Sequence, residues 1–196
     1  MGKNKLEVAF AKGRASGAVW IDTAENPELP TDAISPLPAT AVSLGFIGPD
    51  GIENVTDVTE DEYEDMDGQV IATTVTSSKE TVSFVLTQTS VEVLEAIYGA
   101  DNVKVTGDSI DVKNRASELP HRAWYIELVL TGGKVKRKVV AEAKPKGGRT
   151  VSYKKGEPIT YPVELTCFPD EDGVTSVDFI AKAEIDDDTP SEPPQG

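Results

Sequence analysis

His121 is the only histidine and Cys167 the only cysteine in a chain of 196 residues. One cysteine excludes a disulfide within the chain, and one histidine with no cysteine cluster offers no zinc-type ligand set. The nucleophile motif GxSxG and the phosphate-cradling motifs GxGxxG and GxxxxGK[ST] are absent. His121 opens a strand pattern beside Arg122, where the ordinary reading is a strand-end histidine rather than a catalytic one. No apolar run approaches the length of a membrane span. The start, MGKNKLEVAFAKG, lacks the apolar core of a secretory signal, and Leu6 stands where a myristoylation motif needs Ser or Thr. Positive charge is missing from a long stretch: no Lys or Arg occurs between Ala15 and Ser78. Hydrophobic residues make up only 38% of the chain.

Negative charge is plentiful. The formal net charge is −15 and the sequence pI about 4.4, a balance that favours solubility and repels nucleic acid. Nine carboxylates fall between Asp50 and Asp67, and nine of the 19 basic residues fall between Lys134 and Lys155. Tyr63-Glu-Asp-Met-Asp67-Gly68 partly imitates a calcium loop. Tyr63 sits at the first ligand position, however, and Thr74 where the bidentate Glu belongs. No metal and no cofactor is expected, beyond a weak surface ion site at most.

The length suits one domain with extensions. Its clearest local pattern runs from Gln69 to Gly99. Two runs rich in Val, Ile, Thr and Phe, Gln69–Ser77 and Glu80–Thr87, predict strands around a turn at Ser78–Lys79. In the second, Val82, Phe84 and Leu86 share one face. The period then changes. Thr89-Ser-Val-Glu92 reads as a capping box, Val93, Leu94, Ile97 and Tyr98 form a helical stripe, and Gly99 ends it. A helix over 89–99 is therefore expected.

Further strands follow. Val103–Thr106 and Ser109–Val112 flank Gly107-Asp108. The runs 121–131 and 134–144 flank Gly132-Gly133, a hairpin signal. Trp124, Ile126, Leu128 and Leu130 share a face of the first. Lys134, Lys136 and Lys138 share a face of the second, with Val135, Val139 and Ala141 opposite. In Ile159–Phe168 the residues Tyr161, Val163, Leu165 and Cys167 point inward, and Pro162 implies an edge or a bulge. Pro169–Gly173 is a turn, and Val174–Ala183 the last strand. The tail 186–196 is acidic, proline-rich and expected to be disordered.

Residues 24–68 show little regular pattern. Four prolines lie between Asn26 and Pro38, and Leu29, Ile34, Leu37, Phe46 and Ile52 would prefer burial. Such a stretch is either disordered or ordered by a partner, and its apolar residues favour the second. Long strands with few covering helices leave open edges, which copies can satisfy by closing a ring. Glu60, Asp61, Glu62 and Glu64 would then face Lys134, Lys136 and Lys138 of a neighbour, setting register more than affinity. The alternative is that both patches are simply solvated.

The order of segments resembles a known family. GAVW (17–20) precedes a proline-containing segment and SLGFIGPDGI (43–52). An acidic stretch leads into TVTSSKETVSFVLTQT, and a helix ends in YGADNV (98–103). Over most of residues 15–183 this is similar to the major tail proteins, or tail tube proteins, of long, non-contractile tailed bacteriophages. The resemblance implies a mainly β fold, a β-sandwich or split barrel with one flanking α-helix. It implies an N-terminal arm (1–20), a β domain (21–185) with a long acidic inter-ring loop (40–68), and a free tail. It further implies a non-enzymatic virion protein, made in the host cytoplasm, whose hexameric rings stack into a hollow tube. DNA would cross the lumen without specific binding, and tape measure, tail terminator and baseplate proteins would be partners, with no membrane. A carbohydrate-binding or adhesion module is the competing expectation, although two tryptophans without aromatic clustering speak against it. A hydrolase comes third.

Overall fold

The computed structural model describes residues 9–115, 118–148 and 150–182. The tail 186–196 and the first part of the arm lie outside them. The described chain is mainly β and antiparallel. In order it forms β1 (Ala11–Gly13), β2 (Val19–Asp22), β3 (Ala41–Ser43), β4 (Ile47–Glu64), β5 (Val70–Leu86), helix α1 (Val91–Tyr98) and a 3-10 turn (Ala100–Asn102). β6 (Val103–Thr106), β7 (Ser109–Val112), β8 (Arg122–Leu130), β9 (Lys134–Pro145), β10 (Tyr161–Cys167) and β11 (Val177–Lys182) complete it. One sheet runs β3-β2-β8-β9-β10-β5-β4, and β6 and β7 pair separately. β1 joins the sheet on β8, and β11 on β9.

The middle of that sheet forks. β9 gives its Lys134–Val139 half to β11 and its Ala143–Pro145 end to β10. β8 does the same with β1 and β2. The β8–β9 hairpin therefore serves two diverging sheet halves and is covered on both faces. This explains why Ala123 to Glu127 are buried without alternation. One face carries Trp124, Ile126 and Val140 into the main core with Val82, Phe84, Leu86, Tyr161, Val163 and Leu165. The other carries Ala123, Tyr125 and Val139 against Trp20, Leu37 and Phe179.

α1 lies on the main core through Val93, Leu94, Ile97 and Tyr98. Each such burial is worth about 1.5–3 kcal/mol before entropy is counted. Gly99 ends the helix as expected, its amide donating to the Glu95 carbonyl. The N-cap is one residue later than the capping-box reading: Ser90 Oγ accepts from the Val93 amide, while Thr89 Oγ1 bonds the Tyr161 hydroxyl at 2.9 Å. The β6–β7 and β8–β9 hairpins turn where the glycines predicted.

Three stretches differ from their sequence reading. β5 runs unbroken through Ser78–Lys79, because β4 pairs across that stretch, Val58 with Ser78 and Asp57 with Lys79. The expected loop 40–68 is for the most part strand β4, ordered by β5 of its own chain rather than by a partner. Within the arm 1–20, β1 and the start of β2 belong to the sheet, and Val19 is fully buried. Pro162 sits opposite Val85 of β5, at a point where β9 has already left β10. The ring therefore meets no missing partner on that side.

The segment 22–40 is fastened by buried charge. Arg137 donates to Glu127 Oε1 and to the carbonyls of Asp32 and Ser35, at 2.6–3.1 Å. Arg14 reaches the same Glu127 oxygen at 2.9 Å. Beside it the buried Asp22 accepts from the Tyr125 hydroxyl. Burial, followed by the Asp22 carboxylate, pushes the Tyr125 phenol well up.

Candidate assembly surface

The distal parts of β4 and β5 form a two-stranded ribbon with none of the other described residues packed on either side. From Glu53 to Glu64 and from Val70 to Lys79 every residue is exposed. Pairing continues to the tip, Glu64 with Val70. The tip closes through Asp65, whose Oδ1 accepts from the amides of Asp67 and Gln69, so the calcium-like stretch is a turn. Eight residues beyond the Thr56–Glu80 pair amount to about 26 Å of ribbon. Val58, Tyr63, Met66, Val70, Ile71 and Val75 are all about half exposed or more. A lone two-stranded ribbon is marginal in water. This one exposes apolar surface on an edge that is also unpaired.

Alternation assigns its faces. Ile52 packs on the main core, so Val58, Glu60, Glu62 and Glu64 continue that face outward. Asp61 and Tyr63 lie on the reverse. Two irregularities each add one residue to β5, Thr76 and Ile71. Across them Val75 pairs with Glu60 and Val70 with Glu64, which puts both valines on the glutamate face.

Glu80 marks the ribbon's root. Only 5% of it is exposed. Its carboxylate takes hydrogen bonds from Thr175 Oγ1, from Ser176 Oγ at 2.8 Å and from Lys138 Nζ at 3.3 Å. Burial pushes its pKa up, yet the Thr175 and Ser176 hydroxyls, Lys138 and Asn54 together outweigh burial and hold it below the ordinary value.

The expected basic partners sit on β9, and not equivalently. Lys138 is nearly buried between Glu80 and Asp178, and Lys136 pairs with Asp178 at 3.0 Å. Lys134 is exposed, with no ion pair among the described residues. Glu60, Asp61, Glu62 and Glu64 likewise have no ion pair there. Within one subunit the two groups are not brought together. The sequence missed Glu80 and Arg137. Their only signal was a charged residue inside a strand flanked by core positions.

An open cleft of about 1060 Å³ lies on the other side of the ribbon's base, lined in part by Asp50, Phe84, Lys144 and Lys146. Both lysines are engaged, with Glu118 at 2.8 Å and Glu164 at 3.1 Å. The hydrogen bond from Lys144 holds the Glu118 carboxyl low. His121 contacts Glu142 and stacks on Phe168. Among the described residues no three His, Cys, Asp or Glu side chains converge on a metal position.

The forked antiparallel sheet leaves one long ribbon uncovered among the described residues, surface that is open to contact. The comparisons say what kind of protein carries it. The family model for "Phage tail tube protein" matches residues 1–191, so the chain belongs to the phage tail tube protein family. It is a structural protein of the phage virion tail. No curated protein matches it. Among solved structures it is similar to the tube-terminating cap of the anti-feeding prophage, with 15% identity over 83% of this chain and 96% of that one, at a TM-score of 0.42.

Proposed function

We propose that the subunit assembles as hexameric rings stacked into the hollow tube of a long, non-contractile tail, through which phage DNA reaches the host. The carrying observation is the ribbon. Family membership supplies the tube, and the ribbon supplies backbone and apolar surface that one subunit leaves uncovered. The acidic balance suits a conduit, since a lumen of like charge does not hold DNA. The stretch 40–68, most of it strand β4, takes the inter-ring role. Glu60, Asp61, Glu62, Glu64, Lys134, Lys136 and Lys138 are the initial candidates for contact. Tape measure, terminator and baseplate proteins are the partners such a tube requires, and the subunit is made in the host cytoplasm.

Negative-stain microscopy of the concentrated full chain tests this reading. Rings or tubes are expected, with ribbon amides better protected from hydrogen exchange in the assembled form than in the monomer. A subunit that stays monomeric at every concentration refutes it.

A further inference from the structure

The ribbon is not the only part of the core face that continues past the core. On β8 and β9, Trp124, Val140 and Ile126 lie inside it, with Lys138 opposite Ile126 at its margin. Beyond them come Leu128–Lys136 and Leu130–Lys134, only partly covered or exposed. β11 extends the same surface, since Ile180 pairs with Lys136 and Lys182 with Lys134. Ile180 is 60% exposed. The result is a sheet face of leucine, isoleucine and lysine that is half-buried at Leu128, Leu130 and Lys136 and open at Ile180 and Lys134. Four lysines stand on it or at its edge, against Asp178 and Glu80. Two of them, Lys134 and Lys182, have no ion pair among the described residues.

The glutamate face of the ribbon is its counterpart in three respects. It is apolar where the sheet face is apolar, through Val58, Val70 and Val75. Its carboxylates stand at Glu60, Glu62 and Glu64, every second residue and so about 7 Å apart. Lys134 and Lys136 repeat at that same interval, with Lys182 one strand over. Ribbon and sheet can pack face to face at about 10 Å, so that the two periods register. Unlike charges then meet at the margin while the valines lie over Leu130 and Ile180.

We infer that the ribbon of one copy docks, by its Glu60–Glu62–Glu64 face, on the partly open β8–β9–β11 face of a second copy. This rests on the proposed self-assembly and narrows it. Lys138 and Asp61 drop out of the contact. Lys138 is occupied by Glu80 and Asp178, and Asp61 is on the reverse of the ribbon. Lys182, Ile180, Val70 and Val75 enter it. Each copy carries one ribbon and one receiving face, so the contact is head-to-tail and propagates.

The experiment uses the full chain, with folding checked by circular dichroism. E60K/E62K/E64K is expected to raise the concentration needed for assembly by about tenfold or more, as desolvated interfacial charge contacts do. Adding K134E/K182E to that variant is expected to restore assembly, and D61K alone to assemble like the parent. In parallel, Val75→Cys and Ile180→Cys proteins are mixed and oxidised, with the native Cys167 buried and out of reach. A mixed dimer is expected, and Thr74→Cys, on the reverse face, is expected to give none with Ile180→Cys. Three outcomes overturn the inference: parent-like assembly of E60K/E62K/E64K, no rescue, or equal cross-linking from Thr74→Cys. In each the parent protein still forms rings or tubes, so the proposed function stands. Failure of the parent itself to assemble removes both.

Discussion

Arg137 Nη2 lies 2.6 Å from Glu127 Oε1, and 1% and 5% of the two side chains are exposed. The pair sits on neighbouring strands, Arg137 directly opposite Glu127 in the β8–β9 register. The remaining guanidinium donors hold the carbonyls of Asp32 and Ser35. Asp32 in turn accepts from the amides of Ser35 and Ile34, which hold its carboxyl below the ordinary range. One arginine thus closes a proline-rich segment over the sheet. Arg137→Leu leaves Glu127 buried with only Arg14 beside it and strands two carbonyls. It is expected to cost about 3 kcal/mol or more, as breaking a buried pair does. Urea denaturation of the monomer measures it, and a loss under about 1 kcal/mol, the worth of a surface pair, would show that the contact is incidental.

Glu80 predicts a pH dependence. Its folded pKa is depressed, so the stability it contributes is present above the ordinary value of 4.5 and is lost as pH falls through the lower folded value. Glu80→Gln is expected to cost about 1–3 kcal/mol at pH 7, the usual range for a disrupted buried acceptor. The difference between parent and E80Q should hold steady from neutral pH to about 5 and shrink below that. A difference that grows on acidification would contradict the assigned sign.

The helix cap separates two adjacent hydroxyls. Ser90→Ala removes the acceptor for the Val93 amide and is expected to cost about 1 kcal/mol. Thr89→Ala removes a bond to Tyr161 instead, so a Tyr161→Phe background should abolish its effect while leaving that of Ser90→Ala intact. Thermal melts of the two double variants measure it.

Cys167 is buried, and burial, followed by the nearby Glu80 carboxylate, pushes its thiol up to about 11. At pH 8 only about one thiol in a thousand is then ionised. Iodoacetamide is expected to label the native protein only as fast as it opens, and the urea-unfolded protein at the rate of a free cysteine. Rapid labelling of the native form would place the thiol at the surface.

The sequence pattern made the fold legible where side-chain period and glycine turns agree. α1, the β6–β7 and β8–β9 hairpins and the inward row of β10 all follow from it. It failed where tertiary pairing overrides local preference. Glu53 to Glu64 has the composition of a solvated loop, with carboxylates that strands disfavour. Only pairing with β5 makes it a strand. Ser77-Ser78-Lys79 has turn composition, and the same pairing carries the strand straight through it. Arg137 stands inside a basic run, although alternation puts it with Val135 and Val139, on the covered side. The charge contrast between β4 and β9 was visible from the start. Which residues of β5 and β11 join those faces was not, because that depends on the register of β11 and on the added residues in β5.

The ribbon's anchorage has a geometrical consequence. A projection of about 26 Å turns angle into distance: a tilt of about 10° at Glu80 shifts Asp65 sideways by about 5 Å, one whole interstrand spacing. Aim at the far end is therefore decided near Thr175, Ser176 and Lys138. A substitution there is enough to misdirect the tip while the tip's own chemistry is unchanged.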